Sequence, residues 1–254
     1  GKSTLLNAIL GEKLAAISSK PQTTRNRFAG IHNTDMAQVV LVDTPGLHKA
    51  DSALNRAMVD TALRSCGDLD VLCWVVDAIR LCDRVARKEG VINKAHSIVA
   101  SMLEQRAPGP LVIALNKVDR VEKLTLLPVM AALAERFPDA SIVPVSALRN
   151  DGIEALVDTW IARLPERPPP FGRDQITDAT ERFIAAELIR EKLFVLTRDE
   201  IPYSTAVEIE VFDEAEPGPD GERGLVTIFA RILVERAGQK GIVIGKGGLL
   251  LKEV

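Results

Sequence analysis

The chain opens with a phosphate-loop signature that leads directly into a helical pattern. Its first residues read GKST and precede the apolar-periodic run LLNAIL, which matches the second half of the motif G-x-x-x-x-G-K-[ST]. A loop that opens into a helix presents unpaired backbone N–H groups, and the helix dipole favours an anion there. Gly1 lets the backbone approach phosphates, Lys2 supplies a mobile positive charge, and Ser3 offers a hydroxyl ligand to Mg²⁺. GKST also occurs by chance, so further motifs are needed to establish the site.

Length and composition exclude several classes of protein. The 254 residues suffice for one large domain or two modest ones, and an apolar content of 46% supports a substantial core. The net charge of −3 gives no global sign of nucleic-acid binding. The three cysteines, Cys66, Cys73 and Cys82, show no metal-binding spacing, and their odd number argues against a disulfide framework. No apolar run approaches the roughly 18 residues that a membrane span needs.

Short apolar runs alternate with helical patterns as far as residue 165. The predicted strands are 39–42, 71–77 and 111–116, and residues 141–148 are predicted to form a strand plus a turn. The predicted helices are 2–10, 51–66, 88–106, 123–136 and 152–164, and residues 18–30 are predicted to form a loop. This alternation predicts a mostly parallel sheet covered by helices on both faces. Ligands bind such sheets at the carboxyl ends of the strands.

Three polar motifs follow the predicted strands directly. They are Asp43-Thr44-Pro45-Gly46, Asn116-Lys117-Val118-Asp119 and Ser146-Ala147-Leu148. Any one of them could be an ordinary turn, but all three converge on the sheet edge where ligands bind. In the order GKS, DTPG, NKVD and SAL they resemble the nucleotide-binding domain of the translation-factor-related GTPases. The fold expected is therefore a phosphate-loop GTPase domain of the α/β class.

The resemblance implies that GTP or GDP is the ligand and that guanine is selected by polar pairing. A carboxylate at Asp119 would accept from two guanine N–H groups and leave adenine unpaired, with Asn116 as a second base contact. Lys117 would pack its stem along the base, and the Ala147 N–H would face the base oxygen. The expected GTP-binding residues are Gly1, Lys2, Ser3, Thr4, Asp43, Thr44, Pro45, Gly46, Leu47, Asn116, Lys117, Asp119, Ser146, Ala147 and Leu148.

The expected hydrolytic machinery includes a magnesium ion and a switch loop. Residues 20–27, KPQTTRNR, resemble the first switch, and Thr24 is favoured over Thr23 as its Mg²⁺ ligand. The other ligands implied are Ser3 and Asp43, and the catalytic residues implied are Lys2, Thr24 and Gly46. Arg25 is interpreted as a solvated charge rather than an arginine finger.

Leu47 occupies the position where Ras-like enzymes carry the glutamine that orients the attacking water. An apolar side chain cannot orient water, so intrinsic hydrolysis is expected to be slow. Some GTPases with a hydrophobic residue here use K⁺ held by an asparagine of the phosphate loop. That part of the loop and the strand before it would precede Gly1, so the sequence does not decide whether K⁺ is required.

A second domain is predicted after a proline-rich linker at 166–175. Asp178-x-x-Glu181 resembles a capping box that starts a helix running to about Val195. Strands are predicted at 206–212 and 225–235, followed by the segment IVIGKGGLLL at 242–251. Its G-x-x-G pattern resembles the RNA-binding loop of KH domains, although any turn between two helices can contain it.

The charge distribution favours RNA binding at this segment. Residues 171–222 carry 5 basic and 14 acidic side chains, a net charge of −9, whereas residues 223–254 carry 6 basic and 2 acidic ones, a net charge of +4. A near-neutral chain thus contains a basic region where the glycine-rich loop lies. The expected RNA-binding residues are Arg236, Lys240, Gly245, Lys246, Gly247 and Gly248.

The order helix, strand, strand, helix, G-x-x-G, helix resembles the type II KH arrangement, a small α+β fold. One GTPase domain followed by this module resembles the Era family of ribosome-assembly GTPases. The domains expected are residues 1–165 for the GTPase, 166–175 for the linker and 176–254 for the KH domain, with both domains incomplete at the chain ends. The motifs PQTTR, DTPGLHK and GQKGIVIGKGG carry this resemblance.

The family resemblance implies a GTP-hydrolysing switch that binds small-subunit ribosomal RNA and assists assembly of the 30S subunit. It also implies a cytoplasmic monomer, peripherally associated with the inner membrane in some members, although no residue here indicates that contact. The alternatives are a metabolic phosphotransferase, an RNA-binding module with a degenerate GTPase domain, and another hydrophobe-substituted GTPase of RNA metabolism. NKVD argues against the first, and a single GTPase domain followed by G-x-x-G argues against tandem-domain and tRNA-modification relatives.

Overall fold

The structure is a computed structural model that describes residues 1–18, 20, 28–43, 69–93, 96–97, 109–214 and 224–254. The chain divides into two compact units. The first comprises Gly1–Lys13 and Thr24–Asp178, and the second comprises Leu14–Thr23 and Ala179–Val254. The sequence-based domain boundaries differ from this division and stay a prediction.

The first unit contains a parallel sheet with helices packed on both faces. Its strands are β1 (Phe28–Asn33), β2 (Gln38–Asp43), β3 (Leu72–Asp77), β4 (Leu111–Asn116) and β5 (Ser141–Val145), and its described helices are α1 (Lys2–Leu10), α2 (Ala78–Ala86), α3 (Lys123–Arg136) and α4 (Ile153–Ile161). Strands β3, β4 and β5 pair in parallel in that order, while β1 and β2 form an antiparallel pair. The predicted α/β class and the mostly parallel sheet are confirmed.

Strand β4 shows why the apolar runs become central strands. Val112 and Ala114 belong to the core that includes residues of α1 and α4, whereas Ile113 and Leu115 belong to the core that includes α2 and α3. All four are fully buried. Because successive side chains point to opposite faces, a continuous apolar run suits a strand covered on both sides.

A cleft of about 970 Å³ lies between the two groups of strands in the first unit. Apolar side chains of β2, β3 and α1 line it, among them Leu41, Cys73 and Leu5. Within the described ranges, β2 pairs only with β1 and β3 pairs only with β4, so each has one strand edge without a partner. The expectation that a further strand belongs to this domain stays a prediction.

Two predictions of local structure in the first unit were wrong. Strand β1 begins at Phe28, inside the predicted loop 18–30, because its partner β2 supplies the hydrogen bonds that the local pattern does not reveal. A helix was predicted from residue 88, but residues 87–93 are turns and irregular chain, whereas residues 96–97 are helical. The helix Ala78–Ala86 was not predicted. Asp77 caps this helix, and the positive φ of Lys88 (58°) and Gly90 (74°) ends it. The predicted helix 51–66 and most of 94–106 lie outside the described residues.

The second unit combines helices with an antiparallel hairpin. It contains α5 (Glu181–Leu196), β6 (Thr205–Glu214), β7 (Val226–Val234), α6 (Ala237–Ile244) and α7 (Leu249–Glu253). Leu193, Ile201 and Val243 form its buried core. The element order is that of the predicted type II KH domain. Within the described residues, no helix is both long and apolar enough to cross a membrane.

The predicted capping box at the start of α5 was wrong. The N-cap is Thr180, whose hydroxyl accepts from the Phe183 N–H at 3.2 Å. Asp178 instead accepts from the Ala29 N–H at 2.7 Å, a contact within the first unit. A carboxylate two residues before the cap thus serves the edge of β1 rather than the helix.

Candidate functional site: a nucleotide-binding edge and a glycine-rich loop

The amino end of α1 carries the candidate phosphate-binding residues. The Leu5 N–H donates to the Gly1 carbonyl at 3.1 Å, so the helix is regular from its first turn, which contains Lys2, Ser3 and Thr4. Burial lowers the pKa of Lys2, and the negative charge of Asp43 partly offsets that effect. A largely desolvated ammonium at a helix amino terminus is suited to bind a polyanion such as a polyphosphate.

Asp43 and Ser3 are the described residues among the predicted ligands of a divalent cation. Asp43 is the last residue of β2 and is 6% exposed, and Ser3 is also buried. Mg²⁺ is usually held by one or two protein oxygens together with water and phosphate oxygens, and this donor set fits that pattern. Across the described part of the chain, no group of three His, Cys, Asp or Glu side chains forms a metal cage.

The Asn116 side chain links the loop after β4 to the loop after β5. Its side-chain carbonyl accepts from the Lys117 N–H at 2.7 Å and from the Ala147 N–H at 3.1 Å. Asn116 is buried, so these bonds are protected from water. The carbonyl has two lone pairs and both are used, which leaves the amide nitrogen as the group that can face a base.

Ser146 holds the Asp119 carboxylate in one orientation. The Ser146 hydroxyl donates to Asp119 Oδ1 at 2.6 Å and accepts from the Arg149 N–H at 3.2 Å. Ser146 is fully buried, whereas Asp119 is exposed. The Asp119 carboxylate is therefore held through Oδ1, while the residue remains accessible to a ligand. Leu148, two residues further on, is 75% exposed, and its predicted contact with the nucleotide stays a prediction.

Lys117 has a charge partner that the sequence analysis missed. Its Nζ donates to Asp77 Oδ2 at 2.6 Å. Burial alone would raise the pKa of Asp77, but the hydrogen bond and charge of Lys117, with the backbone N–H groups of Arg80 and Ile79, hold it below its ordinary value. The signal in the sequence was a strand, VLCWVVD, that ends in a carboxylate beside the predicted ligand edge.

Several predicted site residues lie outside the described part of the chain. They are Thr24 of the first switch and Thr44, Pro45, Gly46 and Leu47 of the DTPGL motif. Their predicted roles stay predictions. The structure does bring together the described motifs, because β3 and β4 end in register, with Asp77 opposite Asn116, and β5 ends opposite Asn116 at Val145.

The glycine-rich loop joins two helices, as predicted. Gly245 follows α6, and Lys246–Gly248 form a tight, kinked connection with non-helical backbone at Gly247 before α7 begins. Gly245, Gly247 and Gly248 have φ values of 72°, 61° and 78°, a region that side chains with a Cβ rarely adopt. At Gly245 an added Cβ would also lie 2.8 Å from the Leu250 Cβ. Backbone geometry therefore requires glycine at Gly245.

Basic side chains lie in this loop and along the helix α6 that leads into it, and they are accessible to solvent. Arg236, Lys240 and Lys246 are all exposed. The Arg236 N–H donates to the Gln239 side chain at 3.0 Å, which fixes the start of α6. An exposed positive surface beside backbone without side chains is suited to contact phosphates of a single-stranded nucleic acid.

Comparisons with known proteins agree with this arrangement. Residues 1–117 match the family model described as 50S ribosome-binding GTPase, and residues 200–254 match the KH domain model. GTPase Era of Geotalea uraniireducens is 49% identical over the whole chain, which spans 80% of that relative, and GTPase Era of Stenotrophomonas maltophilia is 44% identical with the same coverage.

Solved structures of Era share the fold of the chain. A crystal structure of Era in complex with MgGDPNP and nucleotides 1506–1542 of 16S ribosomal RNA has a TM-score of 0.87 and 36% identity, and it covers 100% of this chain and 81% of the other. A crystal structure of a single-residue variant of Aquifex aeolicus Era bound to GDP·AlF₄⁻ matches with the same values. With such identity over its whole length, the chain belongs to the Era family of GTPases.

Proposed function

We propose that the protein is a GTP-hydrolysing switch that binds small-subunit ribosomal RNA through its KH domain and assists assembly of the 30S subunit. The observation that carries the proposal is the placement of the charged residues at element ends: Lys2 at the amino end of α1 interacts with the charge of Asp43 at the end of β2, and Ser146 after β5 holds Asp119 after β4. Era proteins have been crystallised with MgGDPNP, with GDP·AlF₄⁻ and with a segment of 16S ribosomal RNA.

Guanine selectivity follows from the anchored carboxylate. Asp119 presents negative charge where two N–H groups of guanine would donate, and adenine would leave that charge unpaired. Mg²⁺ bound by Ser3 and Asp43, with Thr24 in the GTP state, would neutralise charge on the phosphates together with Lys2. Since Leu47 cannot orient water, we expect slow intrinsic hydrolysis in which backbone groups, a cation such as K⁺ or a bound partner positions the water.

Competition among nucleotides tests this part of the proposal. In the natural full-length protein we expect GTP and GDP to displace a fluorescent GDP analogue, while ATP does so at least about 10³-fold more weakly, because adenine leaves the Asp119 carboxylate without its two N–H donors. Equal competition by ATP would favour a metabolic phosphotransferase. Absence of GTP turnover with intact RNA binding would favour an RNA-binding module with a degenerate GTPase domain.

RNA binding is tested most cleanly at Lys246 and Gly247. Gly245→Asp, the simplest variant of the motif, would also distort the loop, because a Cβ there meets Leu250. An added Cβ at Gly247 meets no atom within 4 Å, and Asp tolerates positive φ. Lys246→Glu with Gly247→Asp should weaken binding to a 16S 3′-end oligonucleotide and lower the salt slope by about one per lost phosphate contact.

A charge reversal elsewhere in the same unit provides the control for this experiment. Lys192→Glu changes an exposed lysine of α5 and should leave RNA affinity nearly unchanged. GTP turnover should persist in both variants. Undiminished RNA affinity of the Lys246→Glu and Gly247→Asp variant would contradict the KH assignment of the loop.

A switch requires that nucleotide and RNA alter each other's affinity, and the segment Leu14–Thr23 offers a route. It belongs to the second unit and directly precedes Thr24. The Ile17 N–H donates to Glu191 Oε2 at 2.8 Å, and Lys20 Nζ donates to the Phe194 and Thr197 carbonyls at the end of α5. Binding of Thr24 to Mg²⁺ would therefore restrain a segment that is hydrogen-bonded to α5.

Lys20→Met should reduce the ratio of RNA affinities measured with GDPNP and with GDP, and an unchanged ratio would contradict this route.

The location and oligomeric state follow from the family. We expect a cytoplasmic monomer, and peripheral association with the inner membrane is a further expectation from some members. Sedimentation of the natural protein with and without inner-membrane vesicles measures both properties.

A further inference from the structure

The Asp77 carboxylate uses its two oxygens for two different tasks. Oδ1 accepts from the Ile79 N–H at 3.0 Å and so caps α2, while Oδ2 accepts from Lys117 Nζ at 2.6 Å. The parallel register places Asp77 directly opposite Asn116, the residue before Lys117. One side chain thus connects the end of β3 to the loop that carries the predicted base-binding residues.

Lys117 is held at both ends. Its backbone has a φ of 71° and ψ of 33°, and its N–H is fixed by Asn116 Oδ1 at 2.7 Å. Its ammonium is fixed by Asp77 at the far end of a four-carbon stem. A lysine side chain has many rotamers in solution, and ordering them on binding a ligand would cost affinity. With both ends anchored, that ordering is complete before a nucleotide arrives.

The side chains of this pair are partly exposed, 40% for Lys117 and 24% for Asp77. Ion pairs with this much exposure contribute little to folding stability. Folding stability therefore does not explain why this ion pair is present. Its position in the fold suggests a different role. The anchored stem lies at the carboxyl edge of the sheet, beside the loop in which Ser146 orients Asp119.

We propose that Asp77 is a positioning residue for nucleotide binding, which holds the Lys117 stem as a preformed wall against one face of the guanine base. The inference rests on the proposed function, because it requires the base to bind between Lys117 and Asp119. Asp77 does not touch the nucleotide; it acts through Lys117. The charge on the ammonium is compensated by Asp77, so the stem meets the base as an apolar surface.

The substitution Asp77→Asn separates the two tasks of this side chain. Asparagine is as good an N-cap as aspartate, so its carbonyl continues to accept from the Ile79 N–H. The amide nitrogen then faces the Lys117 ammonium, and two donors cannot pair. The variant should keep its thermal midpoint within about 2 °C of the parent, since the cap is retained. Its GTP affinity should fall about 5- to 30-fold, the size expected when a lysine side chain regains its rotamers.

The loss should appear as faster GDP dissociation and a higher KM rather than as a lower kcat. A double-mutant cycle with Lys117→Met tests whether Asp77 acts through Lys117. In the Lys117→Met background, Asp77→Asn should change the GDP dissociation rate less than about twofold. Asp83→Asn, the same change at an exposed position on α2, is the matched control and should leave the dissociation rate at the parent value.

The possible outcomes separate this inference from the proposed function. If the parent protein selects GTP over ATP and Asp77→Asn dissociates GDP at the parent rate, the positioning role is refuted and the proposed function stands. If Asp77→Asn loses affinity equally in the Lys117→Met background, Asp77 acts through α2 instead, and the inference is also refuted. If the parent protein itself fails to select GTP, the proposed function fails.

Discussion

Replacement of Ser146 by alanine would remove the hydrogen bond that orients the predicted guanine-reading carboxylate. Ser146 Oγ lies 2.6 Å from Asp119 Oδ1 and is fully buried. A hydrogen bond to a charged group contributes about 1.5–3 kcal/mol, and the exposure of Asp119 places this one near the lower value. Since about 1.4 kcal/mol corresponds to a factor of ten, we expect an approximately tenfold loss of GTP affinity.

The loss should fall on the dissociation rate, because mutations at a binding site chiefly change koff. Stopped-flow displacement of a fluorescent GDP analogue should show a koff about ten times higher and a kon within about twofold. Selectivity for GTP over xanthosine triphosphate should persist, since the carboxylate itself remains. Ser141→Ala, at the opposite end of β5, is the matched control. An unchanged koff for Ser146→Ala would show that Asp119 needs no such support.

Four other changes test the remaining parts of the site and the fold. Lys2→Ala should abolish turnover, because it removes the partly buried ammonium that interacts with the charge of Asp43; normal hydrolysis would remove Lys2 from the site. Asp119→Asn should shift preference from guanine toward xanthine nucleotides, measured by competition, and retained GTP selectivity would contradict its role. Chelation of Mg²⁺ by EDTA should suppress turnover and accelerate GTP release, and metal-independent turnover would argue against the Ser3 and Asp43 site. Leu133→Ala, at a fully buried position of α3, should lower the free energy of unfolding by about 2–5 kcal/mol, and urea denaturation would measure it.

Elements with strong local signals were predicted closely from the sequence. Helix Lys123–Arg136 and strand Leu111–Asn116 have the predicted bounds, because hydrophobic periodicity and the flanking polar residues suffice to define them. The strand-end motifs were also identifiable, since a polar residue directly after a buried apolar run is unusual unless it has a partner. Strand β1 and the helix at Ala78–Ala86 were missed, because a partner strand and a cap at Asp77 determine them.

The sequence by itself determined which motifs follow its apolar runs, and from them it predicted which chemical groups lie at the ligand edge. GKST, DTPG, NKVD and SAL follow from residue types and spacing, and the basic region around Lys246 follows from counting charges. These signals are local, so a linear chain displays them. They support the family, the nucleotide and the RNA-binding loop without knowledge of any contact.

Only the tertiary structure decided which of those groups hold one another in place. The pairs Lys117 with Asp77, Asp119 with Ser146, and Ile17 with Glu191 join residues 40, 27 and 174 positions apart. Such partners are chosen by the register of neighbouring strands and by helix docking, which no local pattern encodes. For that reason the sequence identifies Asp77 only as the end of a strand, whereas in the fold its side chain connects β3 to Lys117 at the nucleotide-binding edge.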